Sequence, residues 1–355
     1  MVSSSNIKLD SSFYHSLYDH RMTDASLPPP PNNTRYLGID VGGTTIKFGL
    51  CDSHGAIRSK TSMPTDLLPE PRSVIQHGLE FALSALGASE TLESVGLAVP
   101  GVLDTSSWSL KEVVNLPHWT NRPLLELLEN ESQRPSAIIN DANAAALAEH
   151  HLRGLTDKSL ALITLGTGIG CGLAVGGKGL SGDHGCAGEI GHLAINFSAD
   201  ANLCNCGRRG HLEAYAGAPA VIERAKKALE CLDAQEIPSI LRRTHLDPRD
   251  LSRAAEDGFQ PAREIIIETG TYLGQAIGIL GQVIDPAVVL LGGAMTFGGE
   301  AKSTGRDFLT SVKRSMADTT LQQVGSQMII EYASLGNTAG VTGAALVALQ
   351  KGRKS

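Results

Sequence analysis

Between residues 192 and 213 the chain places His192, Cys204, Cys206, His211 and Glu213, the last four inside the segment CNCGRRGHLE. Imidazole nitrogens and thiolates are donors that Zn²⁺ takes, and four of them complete its tetrahedral shell. A metal held by His192, Cys204, Cys206 and His211 has no open position for a substrate, so its task would be structural. The C-x-C spacing is tighter than that of a zinc finger, which makes spacing alone only moderately diagnostic. Glu189, three residues before His192 in a Gly-rich turn, is a candidate polar ligand beside it. The other cysteines, Cys51, Cys171, Cys186 and Cys231, stand apart and read as small buried apolar side chains. Six cysteines in 355 residues do not make a disulfide scaffold.

A second chemistry-bearing stretch is LGIDVGGTTIK. Asp40 closes a buried strand, and Gly42 and Gly43 then leave backbone N–H groups open to close approach by an anion. Thr44 and Thr45 add hydroxyl donors, and Lys47 adds a positive charge. Taken alone, DVGG is better read as a hairpin turn. The later LGTGIGCG supplies another Gly/Thr hairpin, on Gly166, Thr167 and Gly168, able to grip phosphate from the opposite side, and the pair is far more specific than either member. Asp141, in IINDANAAA, stands where a strand passes into a helix, a position at which α/β sites gather. Two roles are open to it: helix N-cap, or the carboxylate that accepts a proton from a hydroxyl attacking a γ-phosphate. No GxxxxGK[ST] occurs, and GKGLSG at 177–182 matches GxGxxG without opening a helix, so it reads as a turn.

The elements that must carry these residues alternate. YLGID and TTIKFGLCD form an apolar hairpin, a helix lies around SVIQHGLEFALSALG, and the strand SVGLAVPG ends in a Pro-Gly break. After the loop VVNLPHW come a helix, the strand PSAIIN and the alanine-rich helix DANAAALAEHHLRG. SLALITLGTGIGCGLAVGGKG then repeats the layout of YLGIDVGGTTIKFGLCDSHG. Two helical stretches, AYAGAPAVIERAKKALECL and AREIIIETGTYLGQAIGILGQVID, follow the cysteine segment. The strand AVVLLGG, a further helix, the strand MIIEYASL and the helix AGVTGAALVALQKG complete an α/β chain of two related halves. Residues 1–34, ending in PPPPNN, are expected to be a disordered arm with a stiff linker. A net charge of −7 argues against a nucleic-acid partner. No apolar run approaches membrane-spanning length and no secretory signal is visible, so a cytoplasmic protein is expected.

Together, DVGGT, VPG, NDAN, LGTGIGCG, GEIGH and CNCGRRGHLE resemble the ROK family (repressors, open reading frames, kinases), over roughly residues 36–350. The resemblance implies a two-lobed actin-like ATPase (ribonuclease H-like) fold with a zinc-binding insertion. One lobe would comprise 35–151 plus about 336–355, and the other 152–335 with the zinc loop 192–213. It implies ATP-dependent phosphorylation of a hexose, glucose above all, with Asp141 as general base. Asn115, Asn140, Glu189, His192 and Glu213 would hold the sugar. The hairpins would hold the phosphates of Mg²⁺-ATP, with Asp40 near the metal or its waters and Gly292 and Gly293 by the adenosine. His192 would serve both zinc and sugar through its two ring nitrogens. A homodimer or homotetramer is also implied. His211 departs from the pattern, which has a third cysteine there; two thiolates and two imidazoles still balance Zn²⁺. The lack of a glycine after the aspartate of VPGVLDTSSWSL is a lesser departure. Other readings are a kinase for another hexose or an N-acetylhexosamine, a donor other than ATP, and a sugar-responsive repressor. The short arm and the charge speak against the repressor.

Overall fold

The computed structural model describes residues 33–113 and 116–352; the expected arm and linker lie outside them up to residue 32, and Thr34, placed in the linker from sequence, is instead the first residue of a strand. The first sheet is built from β1 (Thr34–Val41), β2 (Thr45–Cys51) and β3 (Ile57–Pro64), then, after helix α1 (Pro71–Ala85), β4 (Thr91–Val99). A small hairpin of β5 (Val102–Asp104) and β6 (Ser109–Glu112), then helix α2 (Leu124–Ser132), precede β7 (Ser136–Asn140), which runs directly into helix α3 (Asp141–Leu152). The second half brings β8 (Leu160–Leu165), β9 (Ile169–Val175), β10 (Lys178–Gly179), and helices α4 (Glu213–Ala216), α5 (Ala218–Glu230), α6 (Pro248–Glu256) and α7 (Gln260–Val283). Then come β11 (Val288–Gly293), α8 (Ser303–Thr319), α9 (Gln322–Gln327), β12 (Ile329–Tyr332) and α10 (Ala339–Gly352).

The repeat expected from the two Gly/Thr hairpins is a repeat of topology. The strand orders are β3-β2-β1-β4-β7 and β10-β9-β8-β11-β12. In each sheet two antiparallel hairpins are extended by two parallel strands. The central strands β1, β4, β8 and β11 are almost wholly buried, as parallel strands covered on both faces must be. This is the actin-like ATPase fold. Each sheet has its own large apolar cluster: Trp119, Phe48 and the α1 residues Val74 and Ile75 around the first, Phe308, Ile277 and Leu251 around the second.

Between the sheets lie α3 and α10. Helix α10 packs on β1 and β4, and α3 packs on both α10 and β9. These contacts are backbone-close. A Cβ at Gly172 of β9 would stand 1.9 Å from the Ala142 carbonyl oxygen, and one at Gly343 of α10 would stand 1.8 Å from that of Ala144. Both sites therefore require glycine, and the first turn of α3 is fixed from two sides.

Several elements were not expected from sequence. Strand β3, β5–β6, β10 and α9 are short, polar or exposed, so they lack a clean apolar period, whereas α6 is amphipathic, with Leu251, Ala254 and Ala255 buried, but is short and rich in charge. The stretch AYAGAPAVIERAKKALECL is broken at Gly217 into α4 and α5. Two cysteine expectations also fail. Cys51 and Cys171 are buried, but Cys186 and Cys231 are exposed. Cys186 lies in the Gly-rich loop before Glu189, and Cys231 caps the outer end of α5.

Candidate active site

Register brings two carboxylates together at the C-terminal ends of the first sheet's parallel strands. Asp40 pairs with Ala98 of β4, and the next β4 residue, Val99, pairs with Asn140 of β7. Of the two roles open to Asp141, the N-cap belongs to its neighbour. The Asn140 side-chain oxygen accepts from the Ala142 and Asn143 N–H groups at 3.0 and 3.1 Å. Asn140 Nδ2 donates to Gly101 O and to Asp141 Oδ1, each at 3.2 Å. Asp141 Oδ1 also accepts from the Ala142 N–H at 2.8 Å, which leaves Oδ2 without a hydrogen bond among the described residues. A carboxylate in the first turn of a helix should ionise easily. Burial overrides this and pushes the Asp141 carboxyl up to about 6, with the Asp40 and Glu189 carboxylates adding to the effect.

Asp40 is buried, and Lys47 Nζ lies 3.0 Å from its Oδ2, so the lysine charge is partly committed to this carboxylate. Gly340, in the first turn of α10, sits against this carboxylate: a Cβ there would stand 2.5 Å from its Oδ2. Gly42 and Thr45 close the first hairpin by an N–H to O bond of 3.0 Å, and Gly166 and Gly168 close the second in the same way at 3.0 Å. Beside the first hairpin is a groove of about 650 Å³ lined by Gly43, Thr44, Lys47, Lys60, Asn337 and Thr338. The second hairpin abuts α5, through Ala218 N–H to Gly166 O at 3.0 Å. Gly292 and Gly293 end β11 alongside Thr164 and Leu165. Past them opens a pocket of about 320 Å³ whose lining includes the largely buried Met295 and Phe297 and the basic Arg249, Arg253 and Lys302. Sequence reasoning missed Lys302 because it stands just before α8 and apart from any motif, and Arg249 and Arg253 because α6 itself was missed. The signal was present: Asp247 and Asp250 form a capping box around Pro248.

The Cys/His cluster forms as expected. One donor atom from each of His192, Cys204, Cys206 and His211 lies within 4.8 Å of every other. His192 Nδ1 is 3.8 Å from Cys204 Sγ, and His211 Nδ1 is 3.2 Å from Cys206 Sγ. Zn²⁺ with bonds of ~2.3 Å to sulfur and ~2.05 Å to nitrogen would set its donors about 3.3–3.8 Å apart; these two pairs lie close to that spacing, and two thiolates with two imidazoles are a donor set that suits the ion. Backbone bonds stitch the loop shut, including Leu212 N–H to Leu193 O at 2.9 Å and Cys204 N–H to Arg208 O at 2.8 Å. Burial, with the charges of His192 and Arg208, lowers the His211 pKa, which favours the neutral ring that binds metals. Glu189 immediately precedes the short helical turn Ile190–His192 and is exposed. Glu213 opens α4, and its Oε2 accepts the Ile169 N–H of the second hairpin at 3.0 Å. The cluster is thus tied to that hairpin. Asn115 lies outside the described residues.

Comparison with known proteins places the chain among relatives. Residues 36–351 match the ROK family. The chain is 33% identical to a glucokinase of Halalkalibacterium halodurans, over 87% of this chain and 93% of that protein. It is 32% identical to an N-acetylmannosamine kinase of Shigella boydii, over 88% of this chain and 97% of that protein. Among solved structures, a ROK family glucokinase from Streptomyces griseus in complex with glucose and AMPPNP superposes with a TM-score of 0.68, at 28% identity over 89% of this chain and 99% of that one.

Proposed function

The chain belongs to the ROK family and is an ATP-dependent sugar kinase, and we propose that its substrate is glucose, converted to glucose 6-phosphate. One observation carries this reading: Asp141 has a free oxygen and a raised pKa, and its helix is set between the two sheets that bear the Gly/Thr hairpins. Asp141 Oδ2 accepts the proton of the sugar's 6-hydroxyl as that hydroxyl's oxygen bonds to the γ-phosphorus, while the bond from the γ-phosphorus to the β–γ bridging oxygen breaks and ADP leaves. Asn140 orients the base through its Nδ2, and Asn115, Glu189, His192 and Glu213 hold the remaining hydroxyls. The hairpin of Gly42, Gly43, Thr44 and Thr45, with Lys47, faces the phosphates from one side, and that of Gly166, Thr167 and Gly168 from the other; the Gly42 and Gly166 N–H groups close these turns, so the donors offered come from the other residues of each hairpin. Asp40 would face Mg²⁺ or its waters, and the ion when bound would neutralise charge on the transferring group. The adenosine lies past Gly292 and Gly293, against Met295 and Phe297. Zn²⁺ would be held by His192, Cys204, Cys206 and His211, and would fix the loop that presents Glu189 and Glu213.

The first sheet with α10 forms one lobe and the second sheet with α4–α9 the other, and closing them over the sugar excludes water. The protein acts in the cytoplasm as a homodimer or homotetramer. The N-acetylmannosamine kinase relative favours a second reading, an N-acetylhexosamine as acceptor. A coupled assay of a panel of hexoses and N-acetylhexosamines with Mg²⁺-ATP separates the two. Glucose is expected to give the highest kcat/KM; a higher value for N-acetylmannosamine would transfer the assignment to the second reading.

A further inference from the structure

Glu149 has no exposed surface, bears a carboxylate, and takes no part in the chemistry proposed above. It lies eight residues after Asp141 on α3, about 12 Å along the helix. Its Oε1 accepts the N–H groups of Ser334 and Leu335 at 2.6 and 2.7 Å, and its Oε2 pairs with Arg153. Arg153 in turn bonds Glu331 Oε1 at 2.9 Å through Nη2 and at 3.1 Å through Nε, and reaches Ser334 Oγ at 3.2 Å.

These residues occupy a distinctive place. After β7 and α3 the described chain passes to the second sheet through the segment that begins at Arg153, and it returns from β12 to α10 through 333–338. The Glu149–Arg153 pair ties both passages together. The returning segment then delivers Asn337 and Thr338 to the groove at the first hairpin, and Gly340 to the Asp40 carboxylate. One rod, α3, therefore presents the base at one end and fixes the Asp40 side of the site at the other. A buried ion pair is a poor way to gain stability alone, since well-packed apolar residues of similar volume commonly do as well. Its use is to specify one geometry.

We propose that Glu149 and Arg153 form the pivot on which the two sheets close, and that both are positioning residues for phosphoryl transfer. The inference rests on the sugar kinase reading. Its test compares wild type, Glu149→Gln and the double variant Glu149→Gln/Arg153→Met, with the sugar preferred in the panel assay. The glutamine keeps an acceptor for the Ser334 and Leu335 amides, and the methionine removes the cation that would otherwise be left without its partner. The double variant is expected to melt within a few degrees of wild type and to bind sugar within threefold, yet to lose at least tenfold in kcat. A folded double variant with kcat within twofold of wild type would overturn the pivot. If Glu149→Gln does not fold, Arg153→Met alone carries the same expectation, read against the same thresholds. Failure of wild type to phosphorylate any sugar would instead overturn the underlying kinase reading.

Discussion

At the residue scale the decisive group is Asp141. Its neighbour Asn140 takes over the helix cap, so the aspartate is free to act as a base while staying buried enough to have its pKa raised to about 6. A base must be ionised to accept a proton, so kcat/KM is expected to fall as pH drops through about 6. A rate that stays flat down to pH 4.5 in the folded enzyme would count against the assignment. The same shift bears on stability. A carboxyl whose folded pKa lies above its ordinary 3.8 binds more protons folded than unfolded between those values, so the charge costs stability progressively from pH 4 to 6 and fully above. At ~1.4 kcal/mol per pKa unit the cost is about 3 kcal/mol. Asp141→Asn should therefore raise Tm by several degrees at pH 7.5 and by little at pH 4. An unchanged or lower Tm at pH 7.5 would show that the carboxylate is not strained by burial.

At the element scale the Cys/His loop and α3 do different work. The loop is held by short backbone bonds and by four converging donors, and it ends on Glu213, whose carboxylate meets the second hairpin. Zinc binding there is expected to appear as one ion per chain in metal analysis of purified protein. Cys204→Ser should lose the ion and raise the sugar KM about tenfold or more, with a smaller effect on kcat. Purified protein free of zinc with a tight sugar KM would remove the metal from the account. Much of this was legible in the sequence because it is local. The hairpins announce themselves by Gly and Thr at a strand end, and the metal donors by their crowding in one short stretch. What was not legible depends on contacts across the fold. Nothing near Gly340 in the sequence signals that it touches Asp40, and nothing near Glu149 signals Ser334 and Leu335. Strand β3 was hidden by its exposed, polar sequence IRSKTSMP, which belongs to a sheet edge.

At the scale of the whole molecule, two sheets of one topology hold two Gly/Thr hairpins, with a helix between them that carries Asp141, the proposed base. The alternation of strands and helices, and the echo of one Gly/Thr hairpin in the other, were enough to read this plan. They did not reveal how α3 and α10 are set between the sheets, because that depends on glycines that permit backbone contact. The arrangement makes the reaction a matter of alignment: a hydroxyl, a base and a γ-phosphate brought into line, with water excluded. The most direct test is the turnover of Asp141→Asn beside its sugar dissociation constant, measured with Mg²⁺-ATP and the preferred hexose. The account predicts that kcat falls by about 10²–10⁴ while sugar binding stays within threefold of wild type. A variant that retains kcat within threefold of wild type would contradict it.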